Sequence, residues 1–308
     1  MPNLANAPGL ISRLLSPRFF IILPVLLLLA AACSEDPIIS DEQEPGGPQF
    51  SAIIVTGDLA VGRNRIVFGI IDREGMPVTG ESAEVEVHLL VDGEETREVK
   101  DSATAEFVPW PIAVRGVFSA EVDLDVAGFY EIDVVSTSSD GTPIFAQASF
   151  NLKETSSTPA IGAPAPASVT HTGAEVDDLS HITSSPEPDP DLYEISIHEA
   201  LQQDKPLVIV FATPAFCVSA TCGPQVGELT KVKEKLGDQV NYIHVEVFEN
   251  PHLLEGGRPS GDLVAAVEEW GLPTEPWTFI VDRDGLIYDK FEQFTTAEQL
   301  EEALQEIL

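Results

Sequence analysis

Residues 211–225 read FATPAFCVSATCGPQ and place two cysteines, Cys217 and Cys222, between an apolar run and a Gly-Pro pair. The thiolate is the nucleophile of cysteine chemistry, and a helix N-terminus favours it by presenting unpaired N–H groups and the positive end of the dipole. Gly223-Pro224 has the signature of such a start, because proline is favoured in the first helical turn. Cys222 is therefore the better placed thiolate, and Cys217, on the preceding loop, can reach it and close a small disulfide ring. The chain has 3 cysteines, so the fate of the third, Cys33, decides whether this pair stands alone.

Few other groups offer chemistry. In VNYIHVEVF, His244 shares one strand face with Tyr242 and Glu246. A buried or rim-satisfied His244 is the ordinary outcome of such a face, and Glu246, toward the strand's C-terminal end where ligands gather in open α/β sheets, is the candidate for proton transfer. His171 and His181 lie in Pro- and Ser-rich sequence, where their spacing alone makes no metal site. His88 falls on the polar side of an alternating strand and reads as a surface histidine rather than a ligand. Trp110, between Pro109 and Pro111, reads as a loop aromatic folded onto its module. No metal and no other cofactor is expected from these placements.

The elements that must position the cysteines follow from the hydrophobic pattern. ISIHEALQQD reads as a short helix, PLVIVFA as a fully buried strand, and CGPQVGELTKVKEKLG as an amphipathic helix with Val226, Leu229, Val232 and Leu236 on one face. VNYIHVEVF is the next strand and DLVAAVEEWG a helix. WTFIVDRDGLIYDKF makes two strands joined by an Asp-Gly turn, and TAEQLEEALQEIL closes the chain as a helix. That order predicts a three-layer α/β domain over residues 191–308. Upstream, FSAIIV, NRIVFGIID, AEVEVHLLVD, GVFSAEVDL, GFYEIDVVS and PIFAQASFNL alternate between turn signals. They predict an all-β, immunoglobulin-like sandwich of about seven strands over residues 49–154. Residues 155–190, rich in Pro, Ser, Thr and Ala, are expected to be an extended, poorly packed linker between the two.

The N-terminus carries an address. Arg13 and Arg18 precede the apolar block FFIILPVLLLLAAA, which ends at Cys33 and is shorter than the roughly 20 residues a spanning helix needs. Residues 1–32 thus read as an export signal, and the acidic stretch 33–48 as a tether. The end of the block, Leu29-Ala30-Ala31-Ala32-Cys33, resembles a bacterial lipobox, which implies lipidation of Cys33 and an extracytoplasmic, membrane-anchored protein. With Cys33 lipidated, Cys217 and Cys222 are an even pair in a compartment where disulfides persist. The formal charge of −35, from 51 acidic and 16 basic residues, argues against a nucleic-acid partner.

Taken together, VIVFATPAFCVSATCGPQ, EPWTFIVDRDGLI and the C-terminal amphipathic helix resemble the thioredoxin superfamily, above all its membrane-anchored extracytoplasmic members, over residues 190–308. The resemblance implies thiol–disulfide exchange through Cys217 and Cys222 on exported protein thiols or an upstream redox partner. It also implies a cis peptide bond before Pro276, in preference to Pro273, and a substrate groove formed by Pro224, Pro276 and Trp277. The chain departs from the family's Cys-x-x-Cys in carrying Cys-x-x-x-x-Cys, with Gln225 where the resolving cysteine would stand, so either cysteine can be aligned with the nucleophile. Two alternatives stay open. One is a binding module whose cysteines form a structural disulfide. The other is copper(I) handling of the Sco type, although His244 and His252 lie earlier than the distal histidine of those chaperones. The peroxiredoxin pattern is not met, since no arginine lies near TPAFC.

Overall fold

The computed structural model describes residues 47–91, 96–111, 115–255 and 261–308. The export signal, Cys33 and nearly all of the tether lie outside the described residues. Among those described, no helix is long and apolar enough to cross a membrane.

Residues 50–152 form eight strands: β1 (Phe50–Ile54), β2 (Gly62–Asp72), β3 (Pro77–Val78), β4 (Gly80–Val91), β5 (Thr96–Pro109), β6 (Gly116–Leu124), β7 (Gly128–Ser138) and β8 (Pro143–Leu152). They make one antiparallel sheet of order β1-β2-β6-β5-β4-β7-β8, with β3 paired to β2. The sheet curls until β1 lies beside β8, so it is nearly closed. Strand alternation drives this: Val85, Val87, Ile132 and Val134 turn inward with Ile66, Phe68 and Phe118 to form one core. The 14-residue β5 went unread in the sequence because TREVKDSATAEFVP buries only Ala105 and Val108. His88 departs from the surface placement expected of it. It keeps the outer face of β4, as alternation requires, but the imidazole is buried there, against Glu86 and Asp133; the register shift beside it adds its extra residue, Lys100, to β5.

The second sheet contains β9 (Leu207–Ala212), β10 (Asn241–Glu246), β11 (Trp277–Val281) and β12 (Ile287–Glu292), in the order β10-β9-β11-β12. β10 runs parallel to β9, and the other pairs are antiparallel. Its helices are α1 (Ile197–Ala200), α2 (Cys222–Leu236), α3 (Ala265–Glu269) and α4 (Ala297–Gln305). Every residue of β9 is buried, because the strand is covered on both faces. Ile209 and Phe211 pack with α1 and α3, whereas Val208 and Val210 pack with α2 and α4. Both sheets belong to one compact unit.

The segment 155–190 has no strand or α-helix, only short 3-10 turns at Gly173–Glu175 and Leu179–His181, but it is not poorly packed. Ala163 and Ala165 bond the backbone around the start of β12, and Thr170 accepts the N–H of Ile197. The composition signalled missing helix and strand; it did not signal that the chain would be pinned along the second sheet.

The two sheets meet through polar groups. Asp58, whose side chain is 0% exposed, accepts hydrogen bonds from the hydroxyls of Ser156, Ser157 and Thr158, the N–H groups of Ser157 and Thr158, and Lys153. Glu292 accepts the N–H groups of Gly57 and Asp58, and Arg65 donates to the carbonyls of Glu292 and Phe294. Beside them Phe294 inserts among Val67, Val108 and Val117, with Trp110 packed against the cluster, as its sequence context implied. Burying such an aromatic contributes about 1.5–3 kcal/mol.

Burial opposes the charge on Asp58, but the bonds from Ser156, Ser157, Thr158 and Lys153 outweigh it and hold the carboxyl well below the usual range. Such an acid stabilises the fold fully above its unfolded value of about 3.9, and the contribution fades as the pH falls toward the folded value. Asp58→Asn is therefore expected to cost about 3–5 kcal/mol at neutral pH. It should also flatten the decline of stability below about pH 4. Denaturant melts of both proteins at neutral and acid pH check this.

Candidate functional site

β9 runs out of the sheet at Ala212 and hands the chain to a tight loop, residues 213–221, that leads into α2. Thr213 O accepts the N–H groups of both Phe216 and Cys217, and Cys217 O accepts that of Ala220, which takes a left-handed φ of 59°. These turns fold the loop back on itself and bring Cys217 to Cys222. The two form a disulfide with Cα atoms 5.9 Å apart, within the span such a bond requires.

The two sulfurs differ in access. Cys222 is the first residue of α2 and is 0% exposed. Cys217 is half-buried, with Ser219 Oγ 3.2 Å from its sulfur, and Val218 beside it is 73% exposed. Thr221, at the N-cap of α2, bonds its hydroxyl to Ser219 Oγ instead of to a helix N–H. Gln225 is fully buried, and its Oε1 accepts the N–H of Thr295 at the approach to α4. Gln225 therefore fixes α2 to the chain before α4.

The cis peptide bond lies between Glu275 and Pro276, at the proline expected to carry it. Trp277 pairs in register with Phe211, which puts Pro276 next to the end of β9 from which the cysteine loop springs. Pro224, in the first turn of α2, is partly exposed near the pair. Trp277 does not join them. Its side chain is 2% exposed and lies with Phe279 and Phe211 in the core on the opposite face of the sheet from Cys222, where its Nε1 donates to Thr274. The groove expected from Pro224, Pro276 and Trp277 thus loses its tryptophan, because Trp277, as the first residue of β11, faces the core opposite the cysteines.

Glu246 and His244 share the cysteine face of β10, as their alternation required, but their atoms are occupied. Glu246 Oε2 accepts the N–H and hydroxyl of Ser184, and Oε1 accepts the N–H of Val247. Ser184 Oγ in turn accepts the N–H of Ala215. Glu246 therefore braces the cysteine loop through Ser184, an arrangement different from the proton transfer expected of it. Nothing in ITSSPEP marks Ser184, since its partner is 62 residues away. The half-buried Glu275 was also passed over; burial and the charge of Glu246 push its carboxyl up. The Glu-Pro dipeptide itself was the signal that could have found it.

His244 Nε2 lies 3.1 Å from Ala212 O, which can only accept, so Nε2 carries the proton and Nδ1 accepts from Tyr193 OH at 2.6 Å. Burial pushes its pKa down, against the nearby charge of Glu246. The fold also gathers histidines distant in sequence. His181 stacks on His252 with ring centroids 4.2 Å apart, and His171 lies 3.3 Å from Glu249. His171, His181, His244 and Glu246 line a cavity of about 150 Å³ at this edge of the sheet.

No family model matches the chain, and no curated relative matches it. Among solved structures, chloroplastic thioredoxin z is similar at 21% identity and a TM-score of 0.27, over 35% of this chain and 82% of that one. MtrC from Shewanella baltica is similar at 12% identity and 0.26, over 47% of this chain and 28% of that one. Superoxide reductase (neelaredoxin) from Ignicoccus hospitalis gives 12% and 0.21, over 34% and 80%. At these TM-scores the likenesses carry no functional argument.

A histidine with a depressed folded pKa stays neutral where the unfolded chain binds a proton, so stability is full above about pH 6.5 and declines below it. His244→Gln is expected to remove part of that decline. NMR of the wild-type ring should show the neutral tautomer protonated on Nε2 persisting through this range.

Proposed function

We propose that the chain is a thiol–disulfide oxidoreductase of thioredoxin-like fold, working outside the cytoplasm and held at the membrane by a lipid on Cys33. The strand and helix order β9-α2-β10-α3-β11-β12-α4, with a cis proline beside the cysteine loop, supports the fold. The leader and Leu29-Ala30-Ala31-Ala32-Cys33 support the address. The nearly closed β-sheet serves as an immunoglobulin-like base that presents the redox domain to exported proteins or to an upstream redox partner.

One observation carries the activity: the pair is bonded, with one cysteine half-buried on the loop and the other fully buried at a helix start. A substrate thiolate attacks Cys217 Sγ, the Cys217–Cys222 bond breaks, and Cys222 leaves as a thiolate at the positive end of α2. A second substrate thiolate then attacks the substrate sulfur of the mixed disulfide and releases Cys217 as a thiolate. The substrate is oxidised to its disulfide and the protein reduced to its dithiol; the reverse sequence reduces a substrate disulfide. The assignment makes Cys217 the sulfur that meets substrate, although Cys222 is the better stabilised anion.

The burial of Cys222 also favours a second reading, a staple that holds loop 213–221 on α2. Titration in glutathione buffers separates the two. A pair still oxidised at poises below about −300 mV is structural and overturns the catalytic reading. Under that reading, Cys222→Ser should trap a mixed disulfide through Cys217, whereas Cys217→Ser should trap little or none, as counted by mass spectrometry.

A further inference from the structure

The outer face of the β-module holds a side-chain cluster separate from the cysteine site. Glu86 on β4 stands directly across from Asp133 on β7, and His88 follows two residues along β4 on the same side. Like charges opposed across a ladder are destabilising, so the pairing calls for a positive partner between them. The His88 side chain is only 7% exposed, and its Nε2 lies 3.2 Å from Glu86 Oε2 and 3.1 Å from Asp133 Oδ2. Neither ring nitrogen nevertheless has an aligned hydrogen bond. The three ligand atoms lie within 4.8 Å of one another.

We propose that Glu86, His88 and Asp133 form a binding site for a divalent first-row metal ion, of which Zn²⁺ is the best match. A hydrogen is directed at one acceptor, whereas a cation draws in several donors at once. Donor atoms about 2.0–2.2 Å from a common Zn²⁺ stand roughly 3–3.6 Å apart, which is the spacing of Nε2 from both carboxylate oxygens. One imidazole and two carboxylates balance a 2+ charge and suit a borderline cation better than a hard one. Gln147 donates to Asp133 Oδ1, orienting that carboxylate as the partners of metal ligands do. Arg97 donates to Asp133 Oδ2 at 2.8 Å and pairs with Glu131 Oε1 at 2.9 Å, so a bound metal would displace it from Asp133. It is partly exposed, and when the metal binds it remains on Glu131.

The full chain with its disulfide intact is titrated with Zn²⁺ against a chromophoric chelator, and its thermal melt is followed with and without the ion. The expected result is one site, with a melting temperature that rises with Zn²⁺. Affinity should be weaker by about tenfold or more in His88→Ala and in the exposed-position variant Glu86→Gln. His252→Ala should bind as the wild type does. Absence of binding, affinity unchanged in both Glu86→Gln and His88→Ala, or loss of the site in His252→Ala would overturn the assignment.

Discussion

The carboxylate of Asp58 is the constraint on which the arrangement of the molecule rests. A charge removed from water is tolerated only when donors surround it, and the donors here come mostly from residues 153–158, the stretch that leaves the first sheet for the second. Satisfying one buried anion therefore sets the path of the chain between the modules. Glu292 continues the effect: it receives the backbone of Gly57 and Asp58 on one oxygen and the hydroxyl of Thr274 on the other. Thr274 lies two residues before Pro276, so the base and the turn beside the cysteines share one polar network.

Within the second domain the decisive feature is that β9 is covered on both faces. Its alternate residues serve two cores, and everything attached to its C-terminal end inherits a side. Cys222, His244 and Glu246 fall on the face of α2, and Trp277 on the other. The unusual cysteine spacing follows from the same geometry. Position 225 points into the core, where a glutamine bonding Thr295 is of structural use and a second thiol would have no access. The partner cysteine comes instead from the loop before the helix, which folds back to supply it.

Much of this was legible where a single local pattern decides the outcome. The run LVIVFA, the Gly-Pro helix start and the proline of EPWTFIVD each carry their own signal, and each was found. What escaped depends on partners far along the chain. β5 is too polar to read as a strand until β4 and β6 flank it. Residues 155–190 look like a linker because their own hydrogen bonds make only short turns, and the bonds that pin them go to β12, α1 and Glu246. His88 keeps the outer face that alternation gives it, and its burial there depends on Asp133, a neighbour from another strand that no local pattern announces. The family-derived role for Trp277 failed for a simpler reason, since alternation along β11 already sets it with Phe279 on the core face opposite the cysteines.

The composition takes on a different meaning at the junction. A chain with 51 acids and 16 bases has few cations to place, yet Arg63, Arg65, Lys153 and Lys290 all gather where the sheets meet, facing Asp58, Glu121, Asp289 and Glu292. Burial pushes the carboxyls of Glu121, Asp289 and Glu292 up, opposing the arginines and hydrogen bonds that favour their charge. Burial likewise lowers Arg65 to about 10. These groups are thus partly stripped of water and depend on one another. Attraction between buried members such as Lys290 and Asp58 is screened by salt less than that of the half-exposed Arg63–Glu121 pair. The surface acids need no partner because water solvates them, so the scarce cations matter most where water is excluded, and that place joins the base to the domain carrying the disulfide.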